Sequence, residues 1–427
     1  MHRTAALAAL AAVILGFCAL VASAPCSAAA PESPGVPITQ FGAVGDGRTM
    51  NTRSIQAGID KLAAGGGGTL VVPEGVFVSG AIFLKPGVNL RLEKGGVLKG
   101  SADVSDYPKV NTRIEGHSEP FLCALVNADK LDRLLITGQG TLDGSGPTFW
   151  AAFWKRRAEN PHCTNLEVLR PRLLFIQDCS NVLISGITLR DSGFWNLHFY
   201  RCHDVVVEHL DIHVDVRPGE RAPSTDGMDI DSSQRVTVRD CTFAVHDDCI
   251  ALKGTKGPFA LDDRVSPPDE QIHVTGCTFN AGGAALTCGS EATVVREVTM
   301  DHCTVNGPMP LLHLKLRPDT PQQYHDIHIS DIVQHSGSIL EVRPWKQFFD
   351  LRGQPTPESA VSDIWISRVT GSFDSLGIIQ GNQTTRISDI TLSDFDVQLK
   401  SDRFEHQEID GLRWTNLKVN GAPFPGR

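Results

Sequence analysis

The feature that most constrains this chain is a recurring pair of strand-like segments. From Leu173 onward, a short apolar run and a polar turn are followed each time by a longer run in which apolar and polar residues alternate. Successive longer runs begin roughly 22 to 37 residues apart, a spacing typical of a solenoid with variable loops on one face. The longer runs are Asn181–Leu189, Asp204–Ile212, Arg235–Phe243 and Gln271–Phe279, and later copies begin at Glu297, Asp326, Asp363, Asp389 and Gly411.

These repeats predict an all-β fold. Each copy is β-branched and aliphatic with a period of two residues, and helical periodicity is absent from it. We therefore predict a single-domain right-handed parallel β-helix whose rungs stack about 4.8 Å apart. A propeller is the competing architecture, but it needs about four strands per blade, and these repeats are too short to supply them. Because no linker divides residues 31–427, we assign them to one domain.

A short helix is predicted at the N-terminal end of the solenoid. Asn51 and Thr52 can cap it, its apolar positions fall on one face as far as Leu62, and the run of glycines from Gly65 to Gly68 ends it. An open solenoid end exposes its core and a free strand edge, so we expect this helix to cover that end. The first strands of the coil are expected at Thr69–Val72, Val76–Phe83 and Val88–Leu92.

The first thirty residues read as a secretory signal peptide. Arg3 precedes an apolar stretch from Ala5 to Ala22, and small residues follow, with a cleavage site near Ala28. An uncleaved membrane anchor is the alternative, although the apolar stretch is short for a full membrane span. We therefore exclude residues 1–30 from the fold and expect a secreted or periplasmic protein that leaves the membrane when the signal is cleaved.

The net charge and the cysteine content indicate which partners and which cysteine chemistry to expect. The net charge is −10 and no long basic run occurs, so nucleic acid and anionic membrane surfaces are not expected as partners. Of the 11 cysteines, Cys18 and Cys26 lie in the signal segment, which leaves an odd number in the mature chain. Cys241, Cys277 and Cys303 occupy one repeat position, so we predict a stack of buried thiols rather than disulfides or a zinc site.

Two acidic motifs lie within the repeat. Ser224–Asp229 reads Ser-Thr-Asp-Gly-Met-Asp, and about twenty residues later His246–Cys249 reads His-Asp-Asp-Cys. Aligning the short strands that accompany the two motifs puts Asp226 and Asp247 in one column of adjacent rungs, with Asp248 one place along. The three carboxylates are then expected within about 10 Å of one another, given the spacing of paired strands.

The closeness of the three carboxylates would allow the cluster to act in acid–base catalysis. Neighbouring carboxylates cannot all ionise freely, so at least one is expected to keep its proton and to serve as an acid. Hydrolysis of a glycosidic bond needs an acid and a base, and inverting enzymes hold the two roughly 6.5–9.5 Å apart. The alternative is that these aspartates cap turns or bind calcium, but the second motif one rung away favours catalysis.

The two motifs resemble those of the polygalacturonases, glycoside hydrolase family 28, which read Asn-Thr-Asp-Gly-x-Asp and Gln/Gly-Asp-Asp-Cys. The opening of the mature chain, Phe41–Gly47 with Val72–Phe77, is similar to the start shared by many pectin-active β-helices. Gly138–Gly144 and Ser192–Trp195 are similar to further family signatures. The resemblance covers nearly the whole mature chain.

This resemblance implies a role for each aspartate. Asp247 is implied to be the general acid that protonates the leaving oxygen. Asp226 and Asp248 are implied to activate the attacking water together, with inversion at the anomeric carbon and without a metal ion or another cofactor. The implied enzyme is a polygalacturonase-like glycosidase that hydrolyses α-galacturonosidic bonds in pectin or pectic oligosaccharides.

Three positions depart from the family pattern. The family's Gly-His-Gly motif falls on Gly283–Ala285, where the histidine is absent, and its Arg-Ile-Lys motif reads His313-Leu-Lys315, where the arginine is absent. A Tyr-Gly motif falls near Gly337–Ser338, without the tyrosine. The departures affect the subsites and not the aspartates, so we expect an enzyme that acts at chain ends or on rhamnogalacturonan rather than inside plain polygalacturonan.

Cations are needed near these aspartates, because an acidic protein that binds a uronate chain must offset its own charge locally. Several basic side chains follow the strands of neighbouring rungs, and one aromatic side chain is placed to stack on a sugar. The substrate-binding candidates are Lys315, which also matches the family motif, His313, Lys253, Arg317, Arg343 and Trp195. Strand alternation points Asp229 away from Asp226, so we expect a structural role for Asp229. We also expect His198 and His246 to be structural or to support the site. A monomer is expected.

Two other functions remain open on the sequence. A calcium-dependent pectate lyase on the same fold would use the acidic cluster to bind calcium and an arginine as its base. A non-catalytic carbohydrate-binding or adhesive β-helix would use the same surface without turnover. Product analysis separates these alternatives from hydrolysis.

Overall fold

Parallel strands wound into successive rungs form the body of the structure. It is a computed structural model that describes residues 34–216, 219–407 and 409–424, and residues Gly35–Arg427 form one compact unit. The strands pair in parallel from rung to rung, as the repeats predict. The predicted signal peptide, residues 1–30, lies outside the described residues. Within the described ranges, no helix combines the length and the apolar character needed to cross a membrane.

One sheet, called here the site sheet, takes one short strand from each of 11 rungs. Neighbouring strands in it are in register without bulges, for example from Leu197–Tyr200 to Met228–Asp231. Its strands are Ile82–Phe83, Val126–Asp129, Leu174–Gln177, Leu197–Tyr200, Met228–Asp231, Ile250–Lys253, Leu286–Cys288, Leu312–Leu316, Ser338–Pro344, Ser375–Ile379 and Glu405–His406.

The other strands form a 24-stranded sheet with two parallel stacks that merge near the C-terminal end. The first stack contains Val36–Pro37, Gly68–Val72, Val88–Leu92, Leu135–Gly138, Ser180–Ser185, His203–Glu208, Gln234–Arg239, Asp269–Thr275 and Val294–Asp301. The second contains Asp46–Met50, Gly75–Ser79, Gly96–Gly100, Thr141–Asp143, Thr188–Arg190, Asp211–His213, Thr242–Ala244, Thr278–Ala281 and Thr304–Val305. Six further strands complete this sheet, and they are Gln323–Gln334, Ser359–Phe373, Thr385–Ile387, Ile390–Leu399, Arg413–Val419 and Ala422–Pro423, the last of which pairs antiparallel with Arg413–Val419.

The repeat reappears in the backbone as a bend, called here the corner, near the start of each strand of the first stack and of its continuation. The residue that opens each longer run of the sequence adopts a left-handed conformation, with φ between 51° and 74°. A single left-handed residue turns a strand sharply, and polar residues or glycine tolerate it best. These corner residues are Asn181, Asp204, Arg235, Gln271, Glu297, Asp326, Asp363, Asp389 and Gly411.

The interior is filled by side chains that stack from rung to rung. Phe243 and Phe279 lie face to face with ring centroids 5.2 Å apart. Cys241, Cys277 and Cys303 are buried in the same interior. Every cysteine within the described residues is buried and carries a free thiol, which confirms the prediction of a thiol stack without disulfides.

The predicted N-terminal helix is present as α1, Thr52–Ala64. Ile55 and Ile59 on its apolar face are fully buried against the first strands of the coil. Asn51 precedes the helix, but its side chain bonds to the backbone of Val44 instead of capping α1. The strands predicted at Thr69–Val72 and Val88–Leu92 are confirmed. The segment predicted as one strand, Val76–Phe83, is two strands, Gly75–Ser79 and Ile82–Phe83.

Two insertions that the repeats do not predict lie beside the site sheet. Helix α2, Gly146–Glu159, buries Phe149, Trp150 and Phe153. An antiparallel hairpin pairs Lys109–Ile114 with His117–Leu122. Short 3-10 helices occupy Ile38–Phe41, Val104–Asp106, Asn165–Glu167 and Ala260–Asp262.

Candidate active site

The three predicted catalytic aspartates come together where two strands of the site sheet begin. Asp226 precedes the strand Met228–Asp231, and Asp247 and Asp248 precede the strand Ile250–Lys253. One carboxylate oxygen from each aspartate lies within 4.8 Å of the other two. The expected cluster therefore exists, and it is tighter than the roughly 10 Å that the strand spacing predicts.

The predicted register of this cluster is wrong by one residue. Met228 pairs with Ile250 rather than with Cys249, so Asp226 is level with Asp248, and Asp247 lies one place earlier in the chain. The alignment started the second strand one residue early, because Cys249 is as apolar as the strand that follows it. The error changes the column of each aspartate and leaves the cluster intact.

The backbone holds Asp226 from both sides. The backbone N–H and the side-chain amide of Asn196 both donate to the carbonyl of Asp226, each at 2.9 Å. The N–H of Gly227 donates to the carbonyl of Asp248 at 2.8 Å. A side chain on Gly227 would lie 2.5 Å from the carbonyl oxygen of Cys249, which explains the glycine in the first motif.

Burial and mutual repulsion divide the protons among the three aspartates. Burial and the neighbouring Asp247 raise the pKa of Asp226 well above its ordinary value. Burial and Asp248 likewise raise the pKa of Asp247. Burial alone would raise the pKa of Asp248, but the charges of Lys315 and Lys253 outweigh it and lower that pKa. The cluster thus combines an ionised carboxylate with carboxyls that keep protons, as acid–base chemistry requires.

Two lysines predicted to bind substrate are part of the same cluster. The Nζ of Lys315 donates to Asp248 Oδ2 at 2.5 Å. The Nζ of Lys253 lies 3.6 Å from Asp226 Oδ2 and 3.4 Å from Glu291 Oε2. Burial would lower the pKa of Lys253, but the surrounding carboxylates, Glu291 first, raise it well above its ordinary value. Both lysines are therefore charged and offset part of the acidic cluster.

Aromatic rings flank these two ammonium groups. Lys253 Nζ lies 5.0 Å from the ring centroid of Trp195, and Lys315 Nζ lies 5.0 Å from that of Trp345. The two tryptophans, the three aspartates and both lysines line one open cleft of about 460 Å³. The cleft has a polar floor and aromatic walls, which suits a sugar chain with flat apolar ring faces and many hydroxyls.

Helix α2 and two loops form the rest of the cleft. Phe153, Trp154 and Arg157 of α2 line one side, and Arg221 from a loop lies with its guanidinium 5.7 Å from the Trp154 ring. Other side chains reach the cleft from the hairpin and from the turns after the strands. These are Glu115, Asn165, His246, Ser290, Glu291 and Gln347.

Three of the predicted substrate-binding residues do not line this cleft. Half-buried His313 stands beside Lys315, and burial together with that lysine lowers the pKa of its imidazole to about 4. Arg317 is buried and donates twice to Asp319, each time at 2.8 Å. Arg343 is exposed, and its Nε donates to Glu341 at 2.8 Å. The two arginines are thus already held by carboxylates of their own.

Asp229 is placed differently from the prediction. Its carboxylate lies 3.6 Å from Lys253 Nζ, on the same side as Asp226, while Met228 and Ile230 point into the core. The prediction assumed that strand alternation relates Asp226 to Asp229. It does not, because Asp226 lies in the loop before the strand begins. Asp229 is fully buried and does not line the cleft, which agrees with a structural role.

Sequence reasoning did not identify several cleft residues, among them Arg221, the residues of α2, Trp345, Glu291 and Glu115. Trp345 directly follows the strand Ser338–Pro344, so a search for aromatic residues at strand ends would have found it. Glu291 follows the strand Leu286–Cys288 at the same edge of the sheet. Glu115 sits at the tip of the hairpin, with a left-handed φ of 41°, and no repeat signals its position.

The carboxylate cluster also has the donor atoms of a possible metal site. One oxygen from each aspartate lies within a separation that could bind a cation. However, the Lys315 and Lys253 ammonium groups already lie against two of these carboxylates. These fixed positive charges would repel a metal cation bound at the same carboxylates. The donor set therefore fits acid–base chemistry better than calcium binding.

The chain matches one protein family over most of its length. Residues 68–413 match the family model described as glycosyl hydrolases family 28. A probable polygalacturonase from Vitis vinifera is 29% identical over 264 residues, which are 60% of this chain and 51% of that protein, so the chain spans about half of that relative. An exopolygalacturonase from Zea mays is 25% identical over 385 residues, which are 84% of this chain and 83% of that protein.

Solved structures show the same architecture. A hyperthermoactive exopolygalacturonase from Thermotoga maritima superposes with a TM-score of 0.76 and 25% identity, covering 91% of this chain and 92% of that chain. Together with the parallel pairing of the rungs, this similarity confirms the predicted right-handed parallel β-helix.

Proposed function

Because the chain belongs to glycosyl hydrolases family 28 and is therefore a glycosidase of the polygalacturonase type, we propose that it hydrolyses α-galacturonosidic bonds in pectic oligosaccharides from the chain end. The observation that carries this proposal is the three-aspartate cluster in the cleft, whose carboxylate oxygens lie within 4.8 Å of one another and against two lysines. A single cleft then supplies the proton for the leaving oxygen and the base for the attacking water.

The proposed roles follow from charge and exposure. Asp247 is the most exposed of the three aspartates and has a raised pKa, so it is available to protonate the leaving oxygen as the general acid. Asp248 has a lowered pKa, so it is ionised and can accept a proton from water. Asp226 holds the same water, and its own raised pKa prevents a second full negative charge beside Asp248.

Inversion is proposed with a specific geometric condition. The closest carboxylate oxygens lie within 4.8 Å, below the roughly 6.5–9.5 Å typical of inverting pairs. Water must therefore be held by Asp226 and Asp248 together, on the side of the sugar opposite Asp247. The anomeric form of the first product, observed by proton NMR during turnover, tests this geometry. A first product with retained configuration would instead make one aspartate a nucleophile.

Uronate recognition is proposed for Lys315, Lys253 and Arg221, with Trp195 and Trp345 beside the sugar faces. All five side chains line the cleft, and no carboxylate lies within ion-pair distance of Arg221 in the described part of the chain. Action from the chain end is supported by the relatives from Zea mays and Thermotoga maritima, which are named exopolygalacturonases. It also agrees with the departures from the family motifs at His313 and Gly283–Ala285.

Secretion is part of the proposal and rests on the predicted signal peptide. N-terminal sequencing of the protein exported by its natural host is expected to start after residue 28 or near it. A mature protein that retains residues 1–28 would show that this segment is a membrane anchor or has another role. Size-exclusion chromatography with light scattering tests the predicted monomer.

The deciding experiment is to incubate the protein with defined oligogalacturonides and with rhamnogalacturonan oligosaccharides, and to size the early products. We expect monogalacturonate as the first product, a new reducing end, and no loss of activity with chelator. Oligosaccharides of intermediate size among the first products would indicate internal cleavage. Products from the rhamnogalacturonan oligosaccharides alone would identify rhamnogalacturonan as the substrate. An unsaturated, ultraviolet-absorbing product lost on chelation would indicate a lyase, and absence of turnover on every substrate would favour a binding protein.

A further inference from the structure

Arg170 is a fully buried arginine directly behind the catalytic loop. Its guanidinium lies between two aromatic rings, 4.5 Å from the centroid of Phe153 in α2 and 4.5 Å from that of Phe194. Burial lowers the pKa of Arg170 to about 9, so the side chain keeps its charge at neutral pH. Burying a charge without a partner costs free energy, so a fully buried guanidinium indicates a specific role.

The guanidinium holds the residues that lead into Asp226. Its Nη1 donates to the carbonyl of Pro223 at 2.5 Å, and its Nη2 donates to Ser224 Oγ at 3.2 Å. Further bonds go to the carbonyls of Asn165 and Gly193. Arg170 therefore ties the catalytic loop to the turn before the strand Leu197–Tyr200 and to the 3-10 helix beside the cleft.

The loop that Arg170 holds has a strained backbone. Ser224 adopts a left-handed conformation with φ of 55°, which is unfavourable for a residue other than glycine. Such a conformation persists only where surrounding contacts impose it. The bonds from Arg170 to Pro223 and Ser224 are contacts of this kind, and they stand two and three residues before the reacting carboxylate of Asp226.

No carboxylate lies within ion-pair distance of Arg170 among the residues that the structure describes. All four hydrogen-bond acceptors of its guanidinium are neutral. The negative groups that stabilise its charge are Glu115, Asp247 and Asp226, each beyond direct contact. The interaction is mutual, so the same positive charge favours the ionised forms of Asp226 and Asp247.

We propose that Arg170 is a positioning residue of the active site, which fixes the loop before Asp226 through its guanidinium fork and supplies a buried positive charge behind the carboxylate cluster. This inference rests on the proposed hydrolase function. Its two parts are separable, since the fork acts through hydrogen bonds and the charge acts at a distance.

Other charges also act on the cluster and must be distinguished from Arg170. Lys253 and Lys315 lie against it from the site sheet, and Asp229 and Glu291 add negative charge beside Lys253. The remaining charged or titratable groups that face the cleft come from α2, the hairpin and the loops, and they are Arg157, Arg221, Glu115 and His246. None of these groups is removed when Arg170 is substituted, so a limb shift that occurs in Arg170→Met and not in Arg170→Lys can be assigned to the Arg170 charge.

The chain contains a matched control in Arg172. It is also fully buried, its pKa is also lowered to about 9 by burial, and its guanidinium lies 4.0 Å from the ring centroid of Phe175. Its carboxylate neighbours are Asp229 and Asp231 rather than Asp226 and Asp247. Arg170 and Arg172 thus share burial and aromatic contact but differ in the carboxylates on which their charges act.

The test is the pH dependence of kcat/KM on oligogalacturonide for Arg170→Met, Arg170→Lys, Arg172→Met and the unsubstituted protein. Loss of the Arg170 charge raises the pKa of the proposed acid, Asp247, so the basic limb of the profile should move to higher pH by about half a unit to one unit. Arg170→Lys keeps the charge but loses the planar fork, so kcat/KM should fall about tenfold with both limbs in place. Arg172→Met should leave both limbs unshifted.

Each outcome is decisive. Equal limb shifts in Arg170→Met and Arg172→Met, or none in either, overturn the charge component. Unchanged kcat/KM in Arg170→Lys overturns the positioning component, and this variant serves even if Arg170→Met does not fold. Absence of turnover in the unsubstituted protein counts against the proposed function and not against the role of Arg170. In that case, thermal unfolding of the Arg170→Lys variant still measures whether Arg170 stabilises the loop.

Discussion

Two ends of one strand bury aspartates in opposite electrostatic states. Asp226, just before the strand Met228–Asp231, lies 3.6 Å from a single ammonium group, and burial raises its pKa well above the ordinary value. Asp231, the last residue of the same strand, accepts two bonds from Arg113, at 2.8 and 3.0 Å. Burial would raise the pKa of Asp231 as well, but Arg113 and His198 outweigh it and lower that pKa.

The difference shows that burial alone does not decide the state of a carboxylate. Arg113 reaches Asp231 from the hairpin and closes that end of the strand, with His198 Nε2 at 3.5 Å on another side. Asp226 shares Lys253 with Asp229 and Glu291, so its charge is not fully offset. Complete pairing produces a stabilising contact, and incomplete pairing leaves carboxyls whose protons can be exchanged with a substrate.

The largest expected effect is the loss of the acid at the incompletely paired end. Asp247→Asn should lower kcat by about 10²- to 10⁴-fold, because the amide cannot protonate the leaving oxygen. Steady-state assays on oligogalacturonide measure the loss, and circular dichroism should show an unchanged fold. The exposed Asp129→Asn is the control and should keep full activity. Appreciable residual turnover in Asp247→Asn would assign the acid to another residue.

At the fully paired end, the expected effect is on stability. Arg113→Met should lower the free energy of unfolding by about 3–5 kcal/mol, because it leaves the buried Asp231 carboxylate without its partner. Denaturant titration followed by fluorescence measures this change. Arg343→Met, which breaks an exposed pair with Glu341, should change stability by no more than about 0.5 kcal/mol. Equal losses in the two variants would remove the distinction between closed and exposed pairs.

Cations inside and outside the cleft should differ in their effect on catalysis. Lys315→Met should lower kcat/KM about 10- to 100-fold, because Asp248 loses its 2.5 Å partner and a uronate loses a cation. The acidic limb of the pH profile should move upward in the same variant as the pKa of Asp248 rises. Arg343→Met should remain within about twofold of the unsubstituted protein, since it lies outside the cleft. A comparable loss in both would extend the binding surface beyond the cleft.

The smallest expected effect is an opposite pH dependence of stability at the two ends. The lowered pKa of Asp231 contributes stability above the unfolded value of about 3.9, and this contribution is lost as pH falls. The raised pKa of Asp247 has the opposite sign, since its contribution is present below about pH 3.9 and is lost as pH rises. Each unit of difference between folded and unfolded pKa is worth about 1.4 kcal/mol.

Thermal unfolding between pH 3 and pH 8 checks these signs. Asp231→Asn should be less stable than the unsubstituted protein at neutral pH, with a deficit that shrinks toward pH 3. Asp247→Asn should be at least as stable at neutral pH, with a gain that shrinks toward pH 3. Parallel curves for the two variants would show that the carboxylates are in the same state in the native protein.

The repeats allowed the fold to be predicted because each strand can be identified from residues that are close together in the sequence. Alternation of apolar residues between polar corners identifies a strand within about ten residues, and positions such as Asn181 and Asp204 mark the corners directly. Helix α1 also followed from local signals. Helix α2 was not predicted, because it interrupts the repeat and packs through Phe149, Trp150 and Phe153, whose partners are distant in sequence.

The site was predicted in part for the same reason. Asp226, Asp247 and Asp248 stand beside strands of adjacent rungs, so a period brings them together even when the register is misplaced by one residue. Arg317 and Arg343 have equally good positions in the repeat, but Asp319 and Glu341 bind them. A sequence pattern shows that a cation is near the sheet and does not show which anion holds it.

The amino-acid sequence by itself determined the coil, its polar corners, its stack of thiols and the carboxylates beside two adjacent strands, since each depends on neighbours within one repeat. Only the tertiary structure decided which charges are paired. Arg113 and Asp231 are 118 residues apart, and Lys315 and Asp248 are 67 apart. Contacts across such distances depend on how insertions fold over the sheet, and they separate the carboxylates that stabilise this protein from those that carry its proposed chemistry.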